Sequence, residues 1–184
     1  MLYTYPMTEA LRNNAVTGST LGSLSGALSP VERVRTPCIG VCSTGIGDSV
    51  CRGCKRFSHE IIDWNAYNEA EKRIVDSRLA DFLSTCMQQK FVVEDPDLLR
   101  WQLDVQQVRF NPKHDPYCWL FSLLKAGATQ IKDPAKYGFR VQGARQSDTL
   151  VELREQVDKA WWELSVAHYE RYLATPDLFN DRQS

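Results

Sequence analysis

RTPCIGVCSTGIGDSVCRGCKRFS, residues 35–58, holds Cys38, Cys42, Cys51 and Cys54 in the spacing C-x-x-x-C, eight residues, C-x-x-C. A divalent metal held by thiolates takes four sulfurs about 2.3 Å from one point. Two short loops that each offer a cysteine pair bring them there at small cost in chain entropy. Cys38 and Cys42 form one arm of the expected metal site, and Cys51 and Cys54 the other. Gly40, Gly45, Gly47 and Gly53 fall where the backbone must turn sharply or leave room for N–H groups to point at sulfur. Arg35, Arg52, Lys55 and Arg56 place positive charge beside a centre of about −2 when a zinc ion meets four thiolates.

Two other uses of these cysteines fit less well. Free cysteines pack as small hydrophobes, but this Gly- and Arg-rich segment has no apolar period that would join it to a core. Disulfides need an oxidising compartment, and the first residues, MLYTYPMTEALRNN, have neither the basic start nor the apolar stretch of a secretion signal. His59 stands near the site, but four cysteines already complete a tetrahedral shell.

PCIGVC (37–42), CRGCKR (51–56) and EIIDW (60–64) closely resemble the signature of the bacterial domain-of-unknown-function family 1289, whose members are commonly described as predicted iron–sulfur proteins. The likeness covers about Thr36 to Leu83, under a third of the chain. It implies a metal-binding module carried by Cys38, Cys42, Cys51 and Cys54, and it brings no reaction with it. The knuckle Cys51-Arg52-Gly53-Cys54 suits mononuclear zinc and rubredoxin-like iron equally, whereas ferredoxin clusters use other cysteine runs. Spacing alone favours zinc, and the family's customary description leans to an iron–sulfur cluster.

The fold class expected is α+β, mostly helical: a four-cysteine metal knuckle with a helical hairpin, followed by a small α+β unit. Three parts are expected. Residues 1–34, rich in Ser, Gly, Thr and Ala, form a flexible arm with a short TEALRNN helix at its start. Residues 35–92 form the metal-binding module. Ser58 caps a short helix with Ile61, Ile62 and Trp64, and a capping box of Asn68 with Glu71 opens a helix to about Gln89. Its apolar stripe runs through Ile74, Val75, Leu79, Phe82, Leu83, Cys86 and Met87, which makes Cys86 a core residue rather than a ligand.

Residues 93–184 form the α+β domain, with EDPDLL as the boundary turn. Trp101, Leu103 and Val105 alternate with Gln102 and Asp104, and Val108 and Phe110 resume one residue out of step, as in a strand with a bulge. Asp115-Pro116 opens a helix that ends at Gly127, KYGFRV (136–141) reads as a second strand, and Thr149 with Glu152 caps a last helix with a broad apolar face.

No catalytic residue emerges. The chain lacks GxGxxG, a P-loop, HExxH and GxSxG. Cys118 lies in the apolar run YCWLF near His114, where a buried thiol is expected rather than a nucleophile, and His168 falls on the apolar face of the last helix. A net charge of −1 argues neither for nucleic acid nor for a membrane surface. Nucleic acid is the lesser alternative, through a basic face of Arg33, Arg35, Arg52, Lys55 and Arg56 or through the tryptophans of the second half. From Trp101 onward eleven basic residues meet eleven acidic ones, which leaves no net attraction there. The reading is a cytoplasmic, non-enzymatic, zinc-stabilised interaction module with a protein partner, and its alternative is an iron–sulfur redox or sensing protein.

Overall fold

Carboxylates and side-chain amides start the helices of this chain, and most of the starts were legible. The computed structural model describes residues 33–142 and 148–174. The arm expected over 1–34 lies outside them apart from Arg33 and Val34, as does the TEALRNN helix. The Phe57 amide donates to Glu60 Oε2 at 2.8 Å and opens α1, Ser58–Ile62. Asn68 Oδ1 accepts the amides of Ala70 and Glu71 at 2.8 and 3.0 Å while Glu71 Oε2 accepts the Asn68 amide at 2.8 Å, and α2, Glu69–Gln88, follows. This reciprocal box satisfies donors that a helix start leaves free.

The strand β1, Phe91–Val93, leads directly into α3, Pro96–Val105, where a bulged strand over Trp101 to Phe110 was expected. The physical reason is the cap. Asp95 Oδ1 accepts the Leu98 amide at 2.9 Å and Pro96 sits at the first helical position, so EDPDLL starts a helix. Leu99 and Leu103, four apart, are fully buried, whereas Trp101 and Val105 are 57% and 58% exposed. The alternation that suggested a strand runs partly through solvent-facing residues.

Asp115 Oδ1 accepts the Tyr117 amide at 2.9 Å and opens α4, Pro116–Gly127, as expected. Of KYGFRV only Phe139–Val141 is extended, as β2, and Pro134–Tyr137 is a 3-10 turn. β2 pairs antiparallel with β1 in the register Phe91↔Val141, Val92↔Arg140, Val93↔Phe139. Thr149 and Glu152 make the expected box at the start of α5, Leu150–Tyr169, which runs on through a π turn at Glu170–Ala174.

The protein is α+β and mostly helical, with a two-stranded antiparallel sheet. Its core joins α2, α3, α4, α5 and the sheet. Met87, Phe91, Leu99, Leu103, Leu120, Leu123, Leu124, Phe139 and Leu153 lose all contact with water, each burial worth about 1.5–3 kcal/mol. Cys86 belongs to this core, as its period indicated, but Ile74 on the same expected stripe is exposed. The core crosses residue 92, so the two modules read from the sequence share one interior, and the described residues form one compact unit. No helix among them is long and apolar enough to cross a membrane.

Gly138 links the sheet to α3. Its φ is 76°, its carbonyl accepts the amides of Glu94 and Asp95 at 2.9 and 3.0 Å, and a Cβ there would collide with the Asp95 carbonyl. Both effects fall on backbone that cannot yield cheaply. Gly138→Ala is expected to destabilise the protein by about 2–4 kcal/mol, read as a lower urea midpoint. An unchanged midpoint would refute this account of the α3–sheet junction.

Candidate metal centre

Cys51 and Cys54 lie in a tight hairpin. Val50 and Phe57 pair as an antiparallel bridge, the Cys51 amide donates to Arg56 O at 2.9 Å, and the Lys55 amide returns to Cys51 O at 2.8 Å. Closing this turn places Lys55 in the left-handed region, φ 60°, which costs a residue with a Cβ about 1–2 kcal/mol. The Lys55 side chain, 1% exposed, is held on three sides. Its Nζ donates to Gly53 O at 3.3 Å and to Asp158 Oδ1 of α5 at 2.6 Å, and lies 4.7 Å from the centroid of the Trp161 ring.

The neighbouring cations are stacked on aromatic faces. Arg52 lies 4.4 Å over Trp162, whose Nε1 donates to Val50 O at 3.1 Å. Arg56 is buried, 4.7 Å over Trp64, with its Nε 3.5 Å from Cys54 Sγ. Lys55 and Arg56 are therefore taken up inside the fold, and the exposed members of the basic set are Arg33, Arg35 and Arg52.

The first arm lies against this hairpin. A Cβ at Gly53 would meet the Ile39 side chain at 2.8 Å and Val41 O at 3.1 Å, and the Arg52 amide donates to Ser43 Oγ at 2.9 Å. Val34 ties the start of the arm to α2 through Glu69 Oε2 at 2.7 Å. Cys38 Sγ accepts the Gly40 amide at 3.4 Å, and Cys42 Sγ sits 3.0 Å from Thr44 Oγ1. Both thiols are exposed, while Cys51 and Cys54 are buried, and all six cysteines of the chain are free.

The two buried thiols differ. Burial pushes the Cys51 thiol up, but the amides of Cys54, Ser43 and Gly53, joined by the Cys54 thiol, outweigh it and bring it down to about 7. Burial pushes the Cys54 thiol up, with Arg56 opposing. Amides from both arms thus favour thiolate at Cys51, the chemistry a thiolate metal ligand requires. As placed, Cys38 and Cys42 stand outside the Cys51–Cys54 pair, and no three His, Cys, Asp or Glu side chains among the described residues are gathered so as to hold a metal ion.

Residues 36–82 match a family model. It is described as "Protein of unknown function (DUF1289)". No curated protein and no solved structure matches the chain. The matched segment takes in the cysteine loop, α1 and α2 as far as Phe82, and its hairpin leans on α5, outside the match.

Asp158, Trp161 and Trp162 were not singled out as partners of the loop. Adjacent tryptophans on one helix point about 100° apart, which widens the apolar face of α5 beyond a single stripe, and that was the available signal.

Cys118, His114 and His168 are held by their neighbours in the fold. Burial, then Asp115, Asp81 and Asp76, push the Cys118 thiol up to about 12, and its Sγ donates to Ala80 O at 3.4 Å. His114 Nε2 lies 2.8 Å from Asp76 Oδ2. His168 stacks on Phe57, and burial followed by Arg78 lowers its pKa. His59 is exposed.

Asp158→Ala leaves Lys55 buried without its carboxylate. The expected loss is about 2 kcal/mol, below the roughly 3–5 of a fully buried pair because Asp158 is half in solvent. The double variant Lys55→Met/Asp158→Ala should recover at least half of it in urea denaturation. Thiol labelling gives a second check: iodoacetamide at about pH 8 should leave Cys86 and Cys118 of the native chain unmodified and reach both after denaturation.

Proposed function

We propose that residues 35–58 form a four-thiolate metal site of Cys38, Cys42, Cys51 and Cys54, filled by zinc, which stabilises a non-enzymatic interaction module. The observation that carries this reading is the convergence of amides on Cys51 from both arms, Ser43 on one side and Gly53 and Cys54 on the other. A thiol favoured as thiolate in a knuckle turn, with Arg56 beside the second sulfur, suits a centre of negative charge.

Completing the shell requires the first arm to carry Cys38 and Cys42 toward the hairpin. Gly40, at φ 92°, gives that arm a turn without a Cβ penalty. A structural zinc contributes about 10–16 kcal/mol in small modules, enough to order a loop in which Ile39, Val41 and Ile46 remain exposed. Those three side chains support a protein partner for the loop.

Protein purified without air is expected to contain about one zinc per chain and to lack visible absorption. Cys51→Ser should remove most of that metal. Broad visible absorption that bleaches with dithionite would assign an iron–sulfur cluster to the same cysteines, and the absence of any stoichiometric metal would sink the proposal.

A further inference from the structure

We propose that the metal acts as a clasp for the first arm alone: its loss frees residues 35–46, while the Cys51–Cys54 hairpin and the helices stay folded. The inference rests on the four-thiolate reading above and adds its regulation, by metal occupancy.

Burial divides the site at one point along the chain. None of residues 33–49 is buried, whereas Val50, Cys51, Cys54, Lys55, Arg56 and Phe57, which follow directly, are 4% exposed or less. The contacts that seat the hairpin pass through no sulfur. Lys55 Nζ holds Asp158 Oδ1, Trp162 Nε1 donates to Val50 O, and the Phe57 ring packs 5.3 Å from Tyr169 and 3.8 Å beneath the Arg78 guanidinium. Taking a metal from Cys51 and Cys54 breaks none of these contacts.

The arm has no comparable seat. Its ties to the hairpin are the Arg52 amide on Ser43 Oγ at 2.9 Å, a long contact of 3.9 Å from Cys51 Sγ to Val41 O, and Ile39 beside Gly53. Ile39 remains 55% exposed and Val41 74%. Such contacts are small against the backbone entropy of fixing the whole arm, so the metal bonds of Cys38 and Cys42 supply the difference. Gly47, at φ 100°, ends the 3-10 turn Ser43–Ile46 and gives the arm its pivot in a conformation that a Cβ would resist. Ile39, Val41 and Ile46 all lie on the arm, so metal occupancy governs whether they form one fixed surface.

The test is hydrogen–deuterium exchange, read by mass spectrometry, on the full chain purified without air with its metal. It is compared with the same protein stripped by o-phenanthroline under reductant, and the metal content of both is measured first. Amides of residues 38–46 are expected to exchange about tenfold faster or more in the stripped protein. The amides of Cys51 and Lys55, which donate to Arg56 O and Cys51 O, should keep their rates. The double variant Cys38→Ser/Cys42→Ser, which alters only exposed side chains, should show the same pattern without chelator. The inference is overturned if the arm exchanges equally in both forms, or if the hairpin amides are released together with the arm, and in either case the four-thiolate reading survives. Protein that carries no metal at the outset overturns both, and the metal analysis tells that failure apart from the other two.

Discussion

The ion pair between Lys55 and Asp158 joins two parts of the chain that are 103 residues apart, and the placement of the cysteine hairpin depends on it. The hairpin buries Val50, Cys51, Cys54 and Phe57, and its turn forces Lys55 into a backbone conformation that L-residues avoid. A glycine would take that conformation freely. A lysine there must be kept by its side chain, and Asp158, Gly53 O and the Trp161 ring provide that hold. Because the ammonium is fully desolvated, the contact also selects one seating of the hairpin on α5, since any other would strand the charge.

Cations stacked on aromatic rings repeat this theme around the loop. Arg52 covers Trp162, Arg56 covers Trp64, and Arg78 lies 3.8 Å over Phe57 while its Nη2 bonds both oxygens of Glu60 at 2.9 and 2.6 Å. A guanidinium suits this use because it is flat, weakly hydrated and able to donate in its own plane while a ring covers its face. These basic residues sit beside the thiols and also glue the loop to the helices. A surface count of positive charge around the cysteines would therefore overstate what a phosphate backbone could meet.

The shared core explains why the segment matched by the DUF1289 model does not stand as a separate body. α2 buries Leu83, Cys86 and Met87 in the same interior as α4 and α5, and β1, three residues beyond α2, pairs with β2. Residues after 92 complete both the core of α2 and the wall against which the knuckle rests.

Local chemistry made much of this legible in advance. Asn68 with Glu71, Asp115 with Pro116, and Thr149 with Glu152 determined three helix starts through contacts spanning three residues or fewer, and the period of α2 and the apolar run YCWLF marked Cys86 and Cys118 as interior. The cysteine spacing marked the candidate site by the same short-range logic. Asp95-Pro96 carried an equally local signal, but the alternation of Trp101, Leu103 and Val105 competed with it, and only the burial of Leu99 and Leu103 decided for helix. The pairing of Phe91–Val93 with Phe139–Val141 and the seating of Lys55 on Asp158 and Trp161 were decided by tertiary structure alone. Strand partners and buried ion pairs are chosen by which surfaces meet once the helices have packed, and no spacing along the chain encodes that meeting.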